Sequence, residues 1–251
     1  MIKILKYSFY DLMRSRWSYV YCAFYLALVF VLLFLNNDVN KAVITLMNII
    51  IVLTPLIATV FGVMYYYNSK EFTELLLAQP IKRSTIFMGQ YLGISISLTL
   101  SLILGLGIPF LMYGLFMSSA IFDFSLLLLV GTFLNFIFVA LAFNIALSNE
   151  NKIKGFGYAI LMWLFLAVIY DGLFFISLVV FNEYPLDNYA LIATMFNPID
   201  LSRILILLKL DISALLGYTG AVFKKFFGTN FGLIISLLVM IIWVILPVWR
   251  I

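Results

Sequence analysis

The sequence lacks histidine, has a single cysteine and contains few charged residues. Only 10% of its 251 residues are charged, and its histidine count is 0. Metal and general-base motifs built on histidine, such as HExxH, are therefore excluded. No Gly-Lys dipeptide occurs, so the chain has no GxxxxGK[ST] loop to hold the phosphates of ATP. We expect a protein that is not an enzyme, with no catalytic residue, no metal site and no cofactor of its own.

Without histidine, the soft metal ligands in this sequence are the sulfur atoms of cysteine and methionine. Copper prefers thiolate and thioether groups, which here means Cys22 and 10 Met residues. Met in an apolar bundle usually fills space, so we favour packing over metal binding. A single cysteine also excludes a disulfide within the chain.

Apolar residues dominate the composition. Hydrophobic residues make up 65% of the chain and aromatic residues 18%, whereas soluble domains are about 45–50% apolar. The apolar runs are continuous and do not alternate with polar residues, which indicates membrane helices and not a β-barrel. The sequence predicts an all-α integral membrane protein with six transmembrane helices, at about residues 18–35, 43–67, 89–116, 124–147, 156–181 and 230–249.

The distribution of basic residues predicts the topology. If the N-terminus is cytoplasmic, ten of the 15 Lys and Arg residues fall on the cytoplasmic side. We therefore expect a multi-pass protein of the bacterial inner membrane with both termini in the cytoplasm. The net charge of +4 is explained by residues flanking the spans, so we expect the lipid bilayer, and no nucleic acid, as a partner. No repeat or soluble linker divides the chain, which predicts one transmembrane domain over residues 1–251.

Residues 1–17 precede the first span and have two different faces. Apolar Ile2, Leu5, Phe9 and Leu12 or Met13 fall on one face, and Lys3, Lys6, Tyr10 and Arg14 surround the other. This pattern predicts an interfacial helix. A basic flank before any first span looks similar, so a docking role for this helix stays open.

A charged segment, "NSKEFTELLLAQPIKRS" from Asn68 to Ser84, separates the second and third spans. Asn68 with Glu71 forms a capping-box pattern, and Pro80 stops a helix, which predicts a short helix over residues 69–79. Its apolar side would carry Phe72, Leu75, Leu76 and Gln79, and another side Glu71, Glu74 and Ala78. The alternative is a solvated loop with one helical turn.

The connection 182–229 is too long for a simple link and too apolar for a free loop. Asn197 can cap a helix that starts at Pro198, and Asp211 can cap a second helix that ends near Gly228. Neither helix spans a bilayer comfortably, so the pair either dips into the outer leaflet or covers the bundle as an interfacial hairpin. We expect the polar Asp200 and Arg203 to be exposed.

Asp171 is the one acidic residue inside a predicted span, in "AVIYDGLFF". A carboxylate in the membrane is costly and is by default a candidate for function. The alternative is a structural hydrogen bond near the outer interface, for which the neighbouring Tyr170 is a hint.

The stretch "KEFTELLLAQPIKRSTIFMGQYLG", Lys70 to Gly93, resembles the segment after the second span of ABC-2-type transporter permeases. The resemblance implies a type V exporter-like fold in which residues 68–83 form a coupling helix that sits in a groove of a separate ATP-hydrolysing subunit. It also implies a homodimer above two ATPase subunits, with ATP and Mg bound by those subunits. The ATPase-coupling residues would be Glu71, Phe72, Glu74, Leu75, Leu76, Gln79, Pro80 and Arg83, and the second cytoplasmic loop would add Glu150, Lys152 and Lys154.

A second stretch, "NPIDLSRILILLKLDISALLGYTGAVFKKFFG" from Asn197 to Gly228, resembles the corresponding loop of NosY-like permeases. These are membrane subunits of the transporter that helps to mature the copper sites of nitrous oxide reductase, together with an ATPase and a periplasmic β-helix protein. The resemblance implies a docking site for the periplasmic partner at Asn197, Pro198, Asp200 and Arg203, with any metal ligands on partner proteins.

Two other functions remain open at this point. The first is an ABC-2 exporter of lipid, polysaccharide, peptide or drug. The second is a secondary transporter with Asp171 as its proton site, which the scarcity of further intramembrane charges disfavours.

Overall fold

The computed structural model describes residues 1–36, 39–114, 121–181, 187–209 and 230–251. These residues form helices and short connections, with no strand among them. The helices are α1 (Ile2–Arg14), α2 (Arg16–Asn36), α3 (Val39–Asn68), α4 (Lys70–Leu77), α5 (Arg83–Met112), α6 (Ile121–Leu147), α7 (Lys152–Leu164), α8 (Tyr170–Val180), α9 (Asp187–Met195), α10 (Pro198–Lys209) and α11 (Asn230–Val248). A π-helical segment, Phe165–Ile169, joins α7 to α8. The all-α fold class is confirmed.

Within these described ranges, six helices are long and apolar enough to cross a membrane. They are Ser18–Leu35, Ala42–Asn68, Arg83–Met112, Ile121–Leu147, Lys152–Val180 and Phe231–Val248. The third begins at Arg83 and not near residue 89, and the fifth at Lys152 and not near 156. Charged residues stay helical in the polar interfacial layer beyond an apolar run, so an apolar run underestimates its helix.

The connection between the fifth and sixth spans contains a bent helix pair. The chain bends by 114° between Asn188–Met195 and Pro198–Ile206, which is the shape of a broken span or a re-entrant loop. Helix α9 is an element that the sequence analysis missed. The predicted second helix from Asp211 to about Gly228 lies outside the described residues.

The core lies where α3, α5 and α6 pack together. Gly62 on α3 approaches α6 so closely that an added Cβ would stand 2.9 Å from the Cβ of Ala142. Between the spans, Ser18 pairs with Ser101 and the Tyr25 hydroxyl pairs with Thr54 at 3.0 Å. Lipid provides no hydrophobic drive between helices, so close approach and buried hydrogen bonds of this kind hold membrane helices together.

Helix α1 packs along α5 through two glycines. An added Cβ at Gly93 would lie 2.7 Å from the Cβ of Ser8, and one at Gly89 would lie 2.9 Å from Ile4. The buried face of α1 is therefore Ile4, Ser8 and Leu12. The face predicted from Ile2 overlaps this one only in part: Leu12 is buried and Leu5 and Phe9 are partly buried, but Ile2 is 76% exposed. Small Ser8 allows the backbones to approach, which an apolar pattern does not reveal.

Both chain ends lie at the same end of the bundle as α4, which we call the α4 end. The ring of Tyr7 on α1 stacks on Phe72 of α4 at 4.5 Å between centroids. Lys152 at the start of α7 donates a hydrogen bond to Asn68 at the end of α3, at 3.2 Å. Arg250 lines the same pocket as Lys70 of α4.

The α1–α5 contact gives the first prediction. Gly93→Ala should destabilise the protein by about 1–3 kcal/mol, because its methyl group meets Ser8 and the α1 backbone. Gly107→Ala on the same helix is the matched control, since nothing lies within 4 Å of its added Cβ and alanine favours the helix. Thermal unfolding in detergent measures both. Equal melting temperatures would contradict the packing described.

Candidate functional site

Helix α4 starts and ends differently from the prediction. Its N-cap is Ser69, without a side-chain cap hydrogen bond, and it ends at Leu77 and not at residue 79. The predicted cap, Asn68, is the last residue of α3, and its side-chain oxygen accepts the hydrogen bond from Lys152. The prediction was wrong because α3 continues to within one residue of α4, which leaves Asn68 helical and unable to adopt the extended backbone of an N-cap.

Buried polar contacts fix α4 to the third span. Thr73 is 5% exposed, and its hydroxyl donates to the Ser69 carbonyl at 2.8 Å. The same hydroxyl accepts a hydrogen bond from the side-chain nitrogen of Gln90 on α5, at 2.8 Å. Phe72 stacks on Tyr7 of α1. A helix of 8 residues is not stable alone in water, so these contacts hold α4 in place.

The exposed side of α4 carries Glu71, Glu74 and Leu75, and the Leu75 side chain is 69% exposed. Phe72 and Leu75 were expected on one face, but Phe72 is partly buried against α1 whereas Leu75 is exposed. Residues three apart on a helix differ by about 60° around its axis, so one can be buried while the other is not. Leu76 is half-buried, while Gln79, Pro80 and Arg83 are exposed between α4 and the first turn of α5.

The second loop at this end packs against the last turn of α3. The Tyr67 hydroxyl donates to the Asn149 carbonyl at 2.6 Å. Asn151 caps α7 by accepting from the backbone amides of Ile153 and Lys154. Glu150, Lys152 and Lys154 are exposed. Ile153 is 83% exposed and adds an apolar side chain to this loop, which the sequence analysis missed.

A second polar group joins α8 to α10. The Arg203 guanidinium lies 2.6 Å from the Asp171 carboxylate and 3.4 Å from that of Asp200. We call Asp171, Asp200 and Arg203 the acid–arginine cluster. Asp171 is 19 residues beyond Lys152, which places it roughly 28 Å along the helix from the α4 end. Sequence reasoning assigned Asp171 and Arg203 to separate sites, because residues 32 apart in the chain show no pairing in a linear pattern.

Asn197 caps the N-terminus of α10, as predicted from its position directly before Pro198. Its side-chain oxygen accepts from the Ile199 amide, and Pro198 is the first residue of the helix. Its side-chain nitrogen donates to Asp200 and to the Leu166 carbonyl, both at 2.8 Å. Leu166 lies in the π-helical segment, where the wider turn changes the carbonyl pairing of an α-helix.

The expectation that Asp200 is exposed is wrong. Asp200 is 7% exposed, Asn197 is 0% exposed and Pro198 is buried, while Arg203 is only partly exposed. Burial of a carboxylate requires a cation and hydrogen-bond donors, which Arg203 and Asn197 supply. Asn197, Pro198 and Asp200 therefore face the protein interior, and the exposed side chains of this region include apolar Ile192 and Phe196.

Side chains from two spans hold the bend between α9 and α10. The Tyr170 hydroxyl donates to the Ala193 carbonyl at 2.6 Å, and so does not pair with Asp171 as its position had hinted. The indole nitrogen of Trp243 on α11 donates to the Met195 carbonyl at 3.1 Å. The last carbonyls of a helix lack partners within it, so these donors stabilise the end of α9.

Within the described ranges, no group of three or more His, Cys, Asp or Glu residues could hold a metal ion. The acid–arginine cluster brings together two carboxylates, but the guanidinium between them occupies the place that a cation would take.

The fold defines a multi-pass, all-helical membrane protein with a short helix fixed to one end of the bundle. Comparison with known proteins adds a similarity to a transporter subunit. Over 151 residues the chain is 26% identical to "Probable ABC transporter permease protein NosY" of Stutzerimonas stutzeri. The match covers 58% of this chain and 51% of that protein, so the chain spans about half the length of its relative. The resemblance to an ABC transporter permease is thereby confirmed. No protein-family model matches the chain.

The acid–arginine cluster gives the second prediction. Arg203→Gln leaves two neighbouring carboxylates without their cation and should destabilise the fold by about 1–3 kcal/mol, less than for a fully buried pair. Adding Asp171→Asn should restore part of that loss, because it removes one of the uncompensated charges. Thermal unfolding of the single and double variants measures the coupling. The exposed Lys154→Gln serves as a control, and strictly additive effects would show that the pair does not interact.

Proposed function

We propose that the chain is the permease subunit of an ABC transporter, which couples ATP hydrolysis by a separate ATPase subunit to work at the other end of the bundle. The observation that carries this proposal is the free face of α4. Glu71, Glu74 and Leu75 are exposed on a helix whose opposite side is fixed to α5 by Gln90. The similarity to the probable permease NosY supports the same function.

The docking surface for the ATPase combines α4 with the second loop. Leu75 and Ile153 supply exposed apolar side chains. Exposed charged residues adjoin them in the chain, Glu71 and Glu74 on α4 and Lys152 and Lys154 on α7. An apolar centre with a polar rim is the usual composition of a protein interface. In this proposal α4 is the coupling helix, and both termini lie in the cytoplasm with it.

Transmission runs along two connections from this surface. Movement of α4 is passed to α5 through the Thr73–Gln90 hydrogen bond, and movement of the second loop is passed to α7. The fifth span, which begins with α7, then carries the movement of the second loop towards the acid–arginine cluster, which joins α8 to α10. Because helices are stiff, closure of the ATPase pair would tilt the spans as rigid bodies.

We also propose that two copies of the chain pair in the membrane. The first, fifth and sixth spans are 28%, 11% and 22% buried, against 50–61% for the other three. The less buried spans therefore have faces free for a second copy or for lipid.

The work at the periplasmic face is, in our proposal, the maturation of the copper centres of nitrous oxide reductase, with a periplasmic β-helix protein as partner. Its support is the likeness of the Asn197–Gly228 stretch to NosY-like permeases together with the similarity to NosY itself. Since Asn197 and Asp200 are buried, the partner would contact Ile192, Phe196 and the exposed part of Arg203. Export of a lipid, polysaccharide, peptide or drug is the competing function, and co-purification of a β-helix protein distinguishes the two.

The ATPase surface gives the third prediction. Glu71→Ala with Glu74→Ala should leave the permease inserted and folded, but weaken its association with the ATPase by about tenfold or more, the loss expected when charged contacts at an interface are removed. Affinity purification from the native host, with quantification of the ABC ATPase recovered per permease, measures this.

Asp11→Ala is the matched control, because Asp11 is an exposed acidic residue at the α4 end that lies on α1. It should retain the ATPase. Recovery of the wild-type permease without any ABC ATPase would contradict the proposed function, and full recovery with the double variant would contradict the role of α4.

A further inference from the structure

A pocket of about 420 Å³ lies between α4 and the ends of four spans. Tyr66 comes from the end of α3, Phe87 from the first turns of α5 and Leu147 from the last residue of α6. Because each of these residues lies at or near the end of a membrane span, the pocket lies at the depth of the membrane–water boundary.

The pocket is basic. Lys70, Arg83 and Arg250 line it, against one acidic side chain, Glu74. Both salt bridges in the described part of the chain involve Arg203, so none of the three pocket cations is paired with a carboxylate there. Unpaired cations converging on one cavity attract an anion.

An apolar groove of about 520 Å³ adjoins this pocket. It lies between α5 and α11, with Phe136 of α6 also in its lining, and the other apolar lining residues include Met88, Leu92, Val244, Val248 and Trp249. Both cavities are lined by Ile251. Arg83 and Arg250 line the basic pocket, and their chain neighbours Ser84 and Trp249 line the groove, so the two cavities are adjacent. A basic pocket at the membrane boundary therefore continues into an apolar groove along two spans.

We propose that an anionic phospholipid of the leaflet at the α4 end binds here, with its phosphate in the basic pocket and an acyl chain in the groove between α5 and α11. Basic pockets between membrane helices are known sites for anionic headgroups. The groove is what favours lipid over an acidic side chain of a partner protein, since a carboxylate would fill the pocket and leave the groove empty. This proposal requires the membrane spans only and does not depend on the ATPase.

The test compares phosphatidylglycerol with phosphatidylcholine of the same acyl chains. The purified full-length protein is delipidated in detergent, incubated with each lipid, and examined by native mass spectrometry for retained lipid. The wild type should retain phosphatidylglycerol in preference to phosphatidylcholine. Arg83→Gln with Arg250→Gln should reduce that preference about tenfold, because two of the three pocket cations are lost.

Two control variants make the outcome specific. Arg14→Gln with Lys154→Gln removes the same charge at the same end without touching the pocket and should leave the preference unchanged. Arg83→Lys with Arg250→Lys keeps the charge and should retain phosphatidylglycerol. Equal retention of the two lipids by the wild type, or an unchanged preference in the glutamine variant, would overturn the proposal. Loss of ATPase association with unchanged lipid retention would assign the cations to the partner protein instead.

Discussion

The hydrogen bond from Gln90 to Thr73 is the contact on which the α4 end depends. It is buried, it joins a helix outside the spans to the interior of the third span, and its two side-chain atoms lie 2.8 Å apart. Loss of one partner of a buried hydrogen bond costs about 1–3 kcal/mol when the other is left unsatisfied. Because α4 is too short to be stable by itself, its position is set by α5, and its free face is presented in a fixed orientation.

The acid–arginine cluster fixes the position of α10 at the end of the bundle opposite the α4 end, as the Gln90–Thr73 hydrogen bond fixes α4. Apolar packing brings the spans together but does not by itself fix which residue of one helix faces which residue of another, whereas a charged contact does. Arg203 between Asp171 and Asp200 fixes α10 against α8, and Asn197 adds the π-helical segment through Leu166. Each of these two polar connections fixes a helix at defined residues, so a tilt of the spans can be transmitted without the helices slipping past each other.

The spans could be predicted from the sequence because each depends on the composition of about 20 consecutive residues. The Asn197 cap could be predicted because capping is local. Contacts between helices that are distant in the chain could not be predicted, because they depend on packing. They include the Thr73–Gln90 hydrogen bond, the Asp171–Arg203 ion pair and the contacts that bury Asp200. The π-helical segment carries no distinct pattern because the run around it is apolar throughout, and α9 has only 9 residues, too few for a clear repeat. The predicted Asn68 cap was wrong because the preceding helix is longer than its apolar run.

The central claim is that motion at the α4 end reaches the α9–α10 bend along two connections, from α4 to α5 through Gln90 and from the second loop along the fifth span. Spin labels on Ile192→Cys, in a Cys22→Ser background, would report the distance between the two α9 helices of the proposed dimer with its ATPase bound. We predict that a non-hydrolysable ATP analogue changes this distance in the otherwise unmodified protein. In Gln90→Leu, with the ATPase at a saturating concentration, the change should be smaller, because one of the two connections is lost. An identical distance change in Gln90→Leu would contradict the account.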